Sequence, residues 1–315
     1  MGDFINVILT PLTVGEAWVM LAWHKVWTTI GVGGGWAWAL SIVGLTVVVR
    51  IVLIPLFVKQ IHSSRRMQLI QPEMQKIQAK YKGKTDPESR QAMSEETMNL
   101  YKRTGTNPLS SCMPILIQMP IFFALFSVLN GLGPISRGES APAGALTREL
   151  AASAEGSSIF GAPLNASFMG GQSGAAKILT VVLIVAMSLS QFWTQHQLMR
   201  KNMPASALDN PFAKQQKIML YAMPIIFAVS GVNFPIGVLI YWLVTNLWTA
   251  GQQYYVIKRM PAPGSQAEKD LEARRLRQGK EHKKFSVPGL HKSDAEGTDS
   301  ASAVVDEIVP PQRPT

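Results

Sequence analysis

The chain has 315 residues, of which 47% are hydrophobic and 16% are charged, and its formal net charge is +10. Its apolar residues lie in a few long blocks, which favours a membrane protein over two soluble domains or a soluble enzyme. The single cysteine excludes a disulfide scaffold and a zinc site built from thiolates.

The first element is a leader, residues 1–35, that precedes the apolar blocks. It has neither a basic start nor an Ala-x-Ala site, so we expect no removed signal peptide. Apolar side chains recur at helical spacing opposite polar ones, at Met20, Trp23, Trp27 and Ile30. This pattern predicts an extracytoplasmic leader with an interfacial amphipathic helix, and a helix packed on the spans is the alternative.

Five stretches have the roughly twenty apolar residues that a helix needs to cross a hydrocarbon core about 30 Å thick. The predicted spans are residues 36–58, 108–131, 175–198, 218–234 and 236–257. An extracytoplasmic loop, 132–174, joins the second and third spans, and a cytoplasmic loop, 199–217, joins the third and fourth. Phe234 and Pro235 leave almost no loop between the last two spans, which indicates an antiparallel hairpin.

Lys and Arg residues are distributed unevenly between the spans. Ten lie in residues 59–107 and eleven in the tail, 258–315, whereas the leader holds one and the outer loop two. Basic segments of membrane proteins stay in the cytoplasm. The amino terminus is therefore predicted to lie outside and the carboxyl terminus inside, as an odd number of spans requires.

The segment 59–107 is too long for an unstructured loop and has helical periodicity. Its second helix begins after Thr85 or Asp86, with Pro87 in the first turn. These features predict a mobile cytoplasmic helical hairpin.

The tail, 258–315, mixes acidic and basic residues without a sustained apolar stripe, which predicts a basic and mostly disordered segment. Six basic residues within eleven positions could hold the phosphates of anionic lipids or of ribosomal RNA: Arg274, Arg275, Arg277, Lys280, Lys283 and Lys284. A simple juxtamembrane orientation signal is the alternative.

Arg50 is a basic residue inside a predicted span, roughly 10 Å from the cytoplasmic end at about 1.5 Å per residue. An arginine at that depth costs on the order of 2.5 to 3.5 kcal/mol on insertion scales, so a partner is expected. None of the five predicted spans contains Asp or Glu. Water, neutral polar side chains and a visiting molecule are the remaining partners.

Neutral polar residues recur at helical spacing in four spans: Thr46, Gln118, Ser188, Gln191, Gln195, Tyr241, Trp242, Asn246, Thr249 and Gln253. Their convergence around Arg50 predicts an all-α polytopic membrane protein, with five transmembrane helices around a hydrophilic groove open to the cytoplasm. The alternative is that these groups only hydrogen-bond between helices.

A cationic groove in the inner leaflet would attract a negatively charged or polar polypeptide segment from the cytosol. An adjacent hydrophobic stretch could then enter lipid, with burial of apolar surface driving the step. The chain contains no G-x-x-x-x-G-K-[ST] phosphate loop. No catalytic residue, cofactor or metal is predicted.

Three runs of residues have a familiar order: NPLSSCMPILIQMPIFFALF from Asn107, RIVLIPL from Arg50 and FPIGVLIYWLVTN from Phe234. Together they resemble the YidC family of membrane protein insertases, over about Trp36 to Arg259. The resemblance implies a short form without a large periplasmic domain, located in the cell inner (plasma) membrane. It further implies an insertase and chaperone that acts alone or with the Sec translocon.

The resemblance also implies roles for single residues. Arg50 and Thr46 match the groove arginine and the threonine one turn before it, and Gln191 matches a polar groove position. Four residues match positions along the path of the nascent helix: Met119, Phe122, Tyr241 and Trp242. The implied partners are nascent membrane proteins, the Sec translocon, anionic lipids, and the ribosome through the basic tail and cytoplasmic loops.

A small-anion channel or carrier, with Arg50 as the binding charge, is the main alternative function. It predicts related half-repeats and broken helices, and the sequence has no such internal symmetry. An intramembrane enzyme is disfavoured because the five histidines are scattered and no H-E-x-x-H or G-x-S-x-G motif occurs. Neither alternative explains the basic cytoplasmic hairpin.

Overall fold

The computed structural model describes residues 2–107, 113–142, 144–170, 173–202 and 211–279. The helices are α1 Gly2–Thr29, α2 Gly34–Val52, α3 Ile54–Leu69, α4 Gln71–Lys80, α5 Pro87–Thr104, α6 Met113–Arg137, α7 Arg148–Glu155, α8 Gly174–Asn202, α9 Pro211–Gly231, α10 Ile236–Arg259 and α11 Gln266–Arg277. Two short antiparallel strands, β1 Ser158–Ile159 and β2 Ala162–Pro163, form the sheet.

Some predicted features lie outside the described residues. They are the start of the second span at 108–112, residues 203–210 of the cytoplasmic loop, and the tail beyond Gly279, which includes the predicted phosphate-binding Lys280, Lys283 and Lys284.

Three helices in the described part of the chain are long and apolar enough to cross a membrane. They are Gly34–Val52, Leu116–Arg137 within α6, and Gly174–Asn202. The apolar part of α9, Leu220–Gly231, is shorter, and α10 carries the polar residues predicted for the last span. The chain therefore has the helical membrane architecture that its sequence predicts, and the count of five spans stays a prediction.

The first predicted span is interrupted close to its carboxyl-terminal end. α2 ends at Val52, and α3 begins at Ile54. Pro55 has no N–H, so the carbonyl group of Ile51 loses the helical hydrogen bond that residue 55 would donate. The predicted span 36–58 therefore consists of parts of two helices, which meet at Leu53, three residues after Arg50.

The described residues among 2–57, 113–199 and 214–256 form one compact unit. In its apolar core α1 packs against α2 and α6. The contact between α1 and α2 is close, because a Cβ atom at Gly44 would lie 2.6 Å from the Trp23 ring. His24 stacks on Trp38, with the ring centroids 4.0 Å apart. The leader helix is thus packed on other helices, the alternative placement considered for it.

The predicted outer loop contains regular structure that connects α6 to α10. Thr147 caps α7 by accepting a hydrogen bond from the Leu150 N–H at 3.3 Å. Further on, the first N–H groups of α10 donate to the loop backbone, from Ile236 to Ala166 O at 3.0 Å and from Gly237 to Leu164 O at 2.9 Å. The loop thereby satisfies donors that have no partner within their own helix.

The described residues among 58–107, 200–202, 211–213 and 257–279 form the second compact unit. Within it α4 and α5 make the helical hairpin, and Asp86 caps α5 by accepting from the Ser89 N–H at 2.7 Å. Ion pairs between Arg103 and Glu73, and between Lys80 and Glu96, join the two helices. Exposed pairs of this kind contribute little to stability.

The segment after α10 contains a helix that the sequence analysis did not predict. Ser265 accepts from the Glu268 N–H at 3.3 Å, and the Glu268 carboxylate accepts from the Gly264 N–H at 2.6 Å. This arrangement is close to a capping box, whose Ser-x-x-Glu pattern is readable in the sequence. The prediction of a mostly disordered tail is corrected for Gln266–Arg277.

Candidate functional site

Arg50 lies in the last turn of α2, and its side chain is only 6% exposed. Its guanidinium carbon lies 5.6 Å from the centroid of the Phe57 ring, a cation–π contact. Within the described residues Arg50 makes neither a salt bridge nor a hydrogen bond. The site therefore contains a buried cation that no carboxylate of the described chain neutralises.

Thr46 lies one helical turn before Arg50 and is fully buried. Its hydroxyl donates to the carbonyl oxygen of Ile42 at 2.7 Å. Because that bond uses the hydroxyl proton within α2, Thr46 offers only its oxygen lone pairs to the surroundings of Arg50.

Gln118 and Tyr241 connect α6 to α10 beside the arginine. The Gln118 amide donates from Nε2 to the Tyr241 hydroxyl oxygen at 2.6 Å. Tyr241 is buried and lies within electrostatic range of Arg50. The structure thus brings three predicted site residues from three helices into one polar cluster, which consists of Arg50, Gln118 and Tyr241.

Asn246 of α10, another predicted groove residue, contacts α8. The Asn246 amide is buried and donates to the carbonyl oxygen of Met187 at 3.4 Å, which joins α10 to α8. Gln191 follows Met187 by one turn on α8 and is half-buried. Among the described residues no contact joins Asn246 or Gln191 to Arg50, so Asn246 matches the interhelical alternative.

Phe122 and Trp242, two residues predicted along the substrate path, lie in an aromatic cluster formed by α6, α9, α10 and the turn between the last two. The Trp242 ring lies 4.8 Å from Phe227, 5.2 Å from Phe122 and 5.5 Å from Phe234, measured between centroids. Met119, one turn before Phe122, is 43% exposed. These residues form an apolar surface. Two of them directly follow residues of the polar cluster in the sequence, since Met119 follows Gln118 and Trp242 follows Tyr241.

Glu16 is a buried acid that is not among the predicted site residues, because it lies outside the predicted spans. Glu16 lies on α1, outside the candidate spans, and is 6% exposed. Its Oε2 atom is buried and has no hydrogen-bond partner in the described chain. Burial raises the pKa of the Glu16 carboxyl to about 8. Its position four residues before Met20 places Glu16 on the apolar face of the leader helix, and this spacing could have identified it as a buried acid from the sequence.

The described residues contain no group of three or more His, Cys, Asp or Glu side chains that could hold a metal ion.

Removing the Tyr241 hydroxyl is expected to destabilise the protein. Tyr241→Phe leaves the half-buried Gln118 amide without its acceptor, which costs roughly 0.5–1.5 kcal/mol. Thermal unfolding in detergent should show a lower Tm for Tyr241→Phe, and the double variant with Gln118→Leu should recover part of the loss. An unchanged Tm in Tyr241→Phe would contradict the hydrogen bond.

The helical architecture and the buried, unneutralised arginine define a polytopic helical membrane protein. A family model described as "60Kd inner membrane protein" matches residues 29–263 of the chain. A membrane protein insertase YidC of Streptomyces avermitilis is 49% identical over 276 residues, which cover 84% of this chain and 62% of the relative. The chain belongs to the 60Kd inner membrane protein family, the family of the YidC insertases.

Other relatives match over most of their length. The membrane protein insertase YidC of Tropheryma whipplei (strain Twist) is 42% identical, covering 90% of this chain and 93% of the relative. That of Bifidobacterium longum is 36% identical, covering 86% and 81%. A solved structure titled "Active YidC insertase crystal structure with the first transmembrane domain resolved" aligns with 22% identity and a TM-score of 0.43, covering 79% of this chain and 46% of that one. This chain spans about three fifths of the Streptomyces relative.

Proposed function

We propose that this protein inserts newly made membrane proteins into the lipid bilayer, and acts as their chaperone there. The names of its relatives state membrane protein insertion for them. The observation that carries the proposal is the buried Arg50, which has no acidic partner in the described chain. An uncompensated buried cation is costly, and an arriving acidic segment offsets that cost.

The polar cluster and the apolar surface would act on different parts of the substrate. A polar, acidic segment enters from the cytoplasm into the hydrophilic groove and contacts Arg50, Gln118 and Tyr241. The hydrophobic stretch beside it follows Met119, Phe122 and Trp242 into lipid. Burial of apolar surface, at about 25 cal/mol per Å², drives this step without a nucleotide.

The topology and the partners belong to the same proposal. Five spans place the amino terminus outside and the carboxyl terminus in the cytoplasm, in the inner (plasma) membrane. The basic hairpin and the basic residues of α11 would face the ribosome and anionic lipids, and some substrates would be handled together with the Sec translocon. The uneven distribution of Lys and Arg supports this arrangement.

Site-specific photocrosslinking tests the proposed substrate path. A photoreactive residue at Met119 or Trp242 is expected to crosslink to a ribosome-stalled nascent membrane protein, because both positions lie beside the polar cluster. The same residue at Phe160, which is 75% exposed in the turn between β1 and β2, serves as a control and should give no crosslink. The anion-carrier function would be favoured instead if no position crosslinks while the purified protein conducts anions in liposomes.

A further inference from the structure

Glu16 is a buried acid that has no role in the proposed insertion mechanism. Its side chain shares a buried face of α1 with Ala17 and Met20, which belong to the core formed with α2 and α6. The Oε2 atom is fully buried and lacks a hydrogen-bond partner in the described chain. A buried carboxyl oxygen without a donor is unfavourable, so a donor brought by a ligand would be stabilised there.

The Glu16 carboxyl lies close to the polar cluster. It lies within electrostatic range of Tyr241, the residue that accepts a hydrogen bond from Gln118 and is also within range of Arg50. Tyr241 is therefore within electrostatic range of one cation and one acid. Tyr241 on α10 is the titratable group recorded within electrostatic range of Glu16, and His24 lies two turns further along α1.

Arg50 and Glu16 differ in charge when no substrate is bound. Because the pKa of Glu16 is raised to about 8, its carboxyl keeps its proton at neutral pH and carries no charge. An ammonium or guanidinium group within about 4–6 Å favours the ionised carboxylate. The proton then leaves to water, and the carboxylate and the arriving cation neutralise each other.

We propose that Glu16 is a binding site for positively charged side chains in the translocated segment of a substrate, and complements Arg50, which receives acidic ones. Lys and Arg in such a segment oppose its transfer across the membrane. A protonated acid beside the polar cluster lowers that barrier without placing a permanent second charge in the core. This inference rests on the proposed insertion function.

Reconstituted insertion with paired substrates tests the site. The substrates carry the same hydrophobic helix and differ only in having one Lys or one Glu in the translocated segment. The full chain in liposomes is compared with Glu16→Gln, with Glu16→Asp, and with Glu88→Gln, which changes an exposed acid on α5. The readout is the fraction of the substrate segment protected from protease.

Glu16→Gln is expected to lower the ratio of Lys-substrate to Glu-substrate insertion about tenfold, the equivalent of one pKa unit of lost interaction. Glu16→Asp should restore part of the ratio, and Glu88→Gln should leave it unchanged. Equal losses for both substrates in a variant that still unfolds cooperatively would assign Glu16 a structural role and overturn the inference. If the unmodified protein inserts neither substrate, the proposed function itself fails; insertion with an unchanged ratio overturns only the role of Glu16.

Discussion

Arg50→Ala is expected to reduce the insertion of a substrate with an acidic translocated segment about 10- to 100-fold. The variant loses the buried cation that receives the segment, and a hydrogen bond to a charged group contributes roughly 1.5–3 kcal/mol, which corresponds to this range. Arg50→Lys keeps the charge and should retain much of the activity. Protease protection of the substrate in liposomes measures the difference.

Arg50→Ala is expected to lower the insertion activity without lowering the thermal stability of the protein. Arg50 has no ion-pair partner in the described chain, so its removal leaves no orphaned carboxylate, and the Tm of Arg50→Ala should equal or exceed that of the unmodified protein. Arg66→Ala, which removes an exposed arginine of α3, is the matched control and should insert the substrate normally. Full insertion activity in Arg50→Ala would refute the role proposed for the arginine.

Gly35→Ala is expected to have the largest effect on stability. A Cβ atom at this position would lie 2.0 Å from the carbonyl oxygen of Ser158 and 2.4 Å from its carbonyl carbon. Both are backbone atoms of β1, so no side-chain rotation relieves the clash, and the strand must move away from α2. Overpacking of this kind costs on the order of 1–3 kcal/mol or more.

Thermal unfolding in detergent measures this loss, which corresponds to a Tm lower by roughly 5–10 °C. Gly33→Ala provides the control two residues earlier. Gly33 has a φ of −112°, which any residue can adopt, and its Cβ atom would meet nothing within 4 Å. Equal Tm values for the two variants would show that β1 does not contact α2 as described.

Part of the candidate site was predictable from single residues and their spacing. Arg50 is conspicuous because it interrupts an apolar block, and Gln118 and Tyr241 are polar residues in similar blocks. The sequence did not show that Gln118 and Tyr241 bind each other, because they are 123 positions apart. The break at Leu53 could have been predicted, since Pro55 removes a helical hydrogen bond wherever it lies inside a helix. The capping pattern at Ser265 was equally readable and was missed.

The amino-acid sequence by itself determined that this is a helical membrane protein of the insertase family, because hydrophobic length, charge distribution and signature runs are properties of neighbouring residues. The tertiary structure alone decided which of the polar residues meet. It places Asn246 on the Met187 carbonyl, away from any contact with Arg50, and it buries Glu16 within range of Tyr241. The physical reason is that such contacts depend on how helices distant in sequence pack, and packing leaves no periodic signal in the chain.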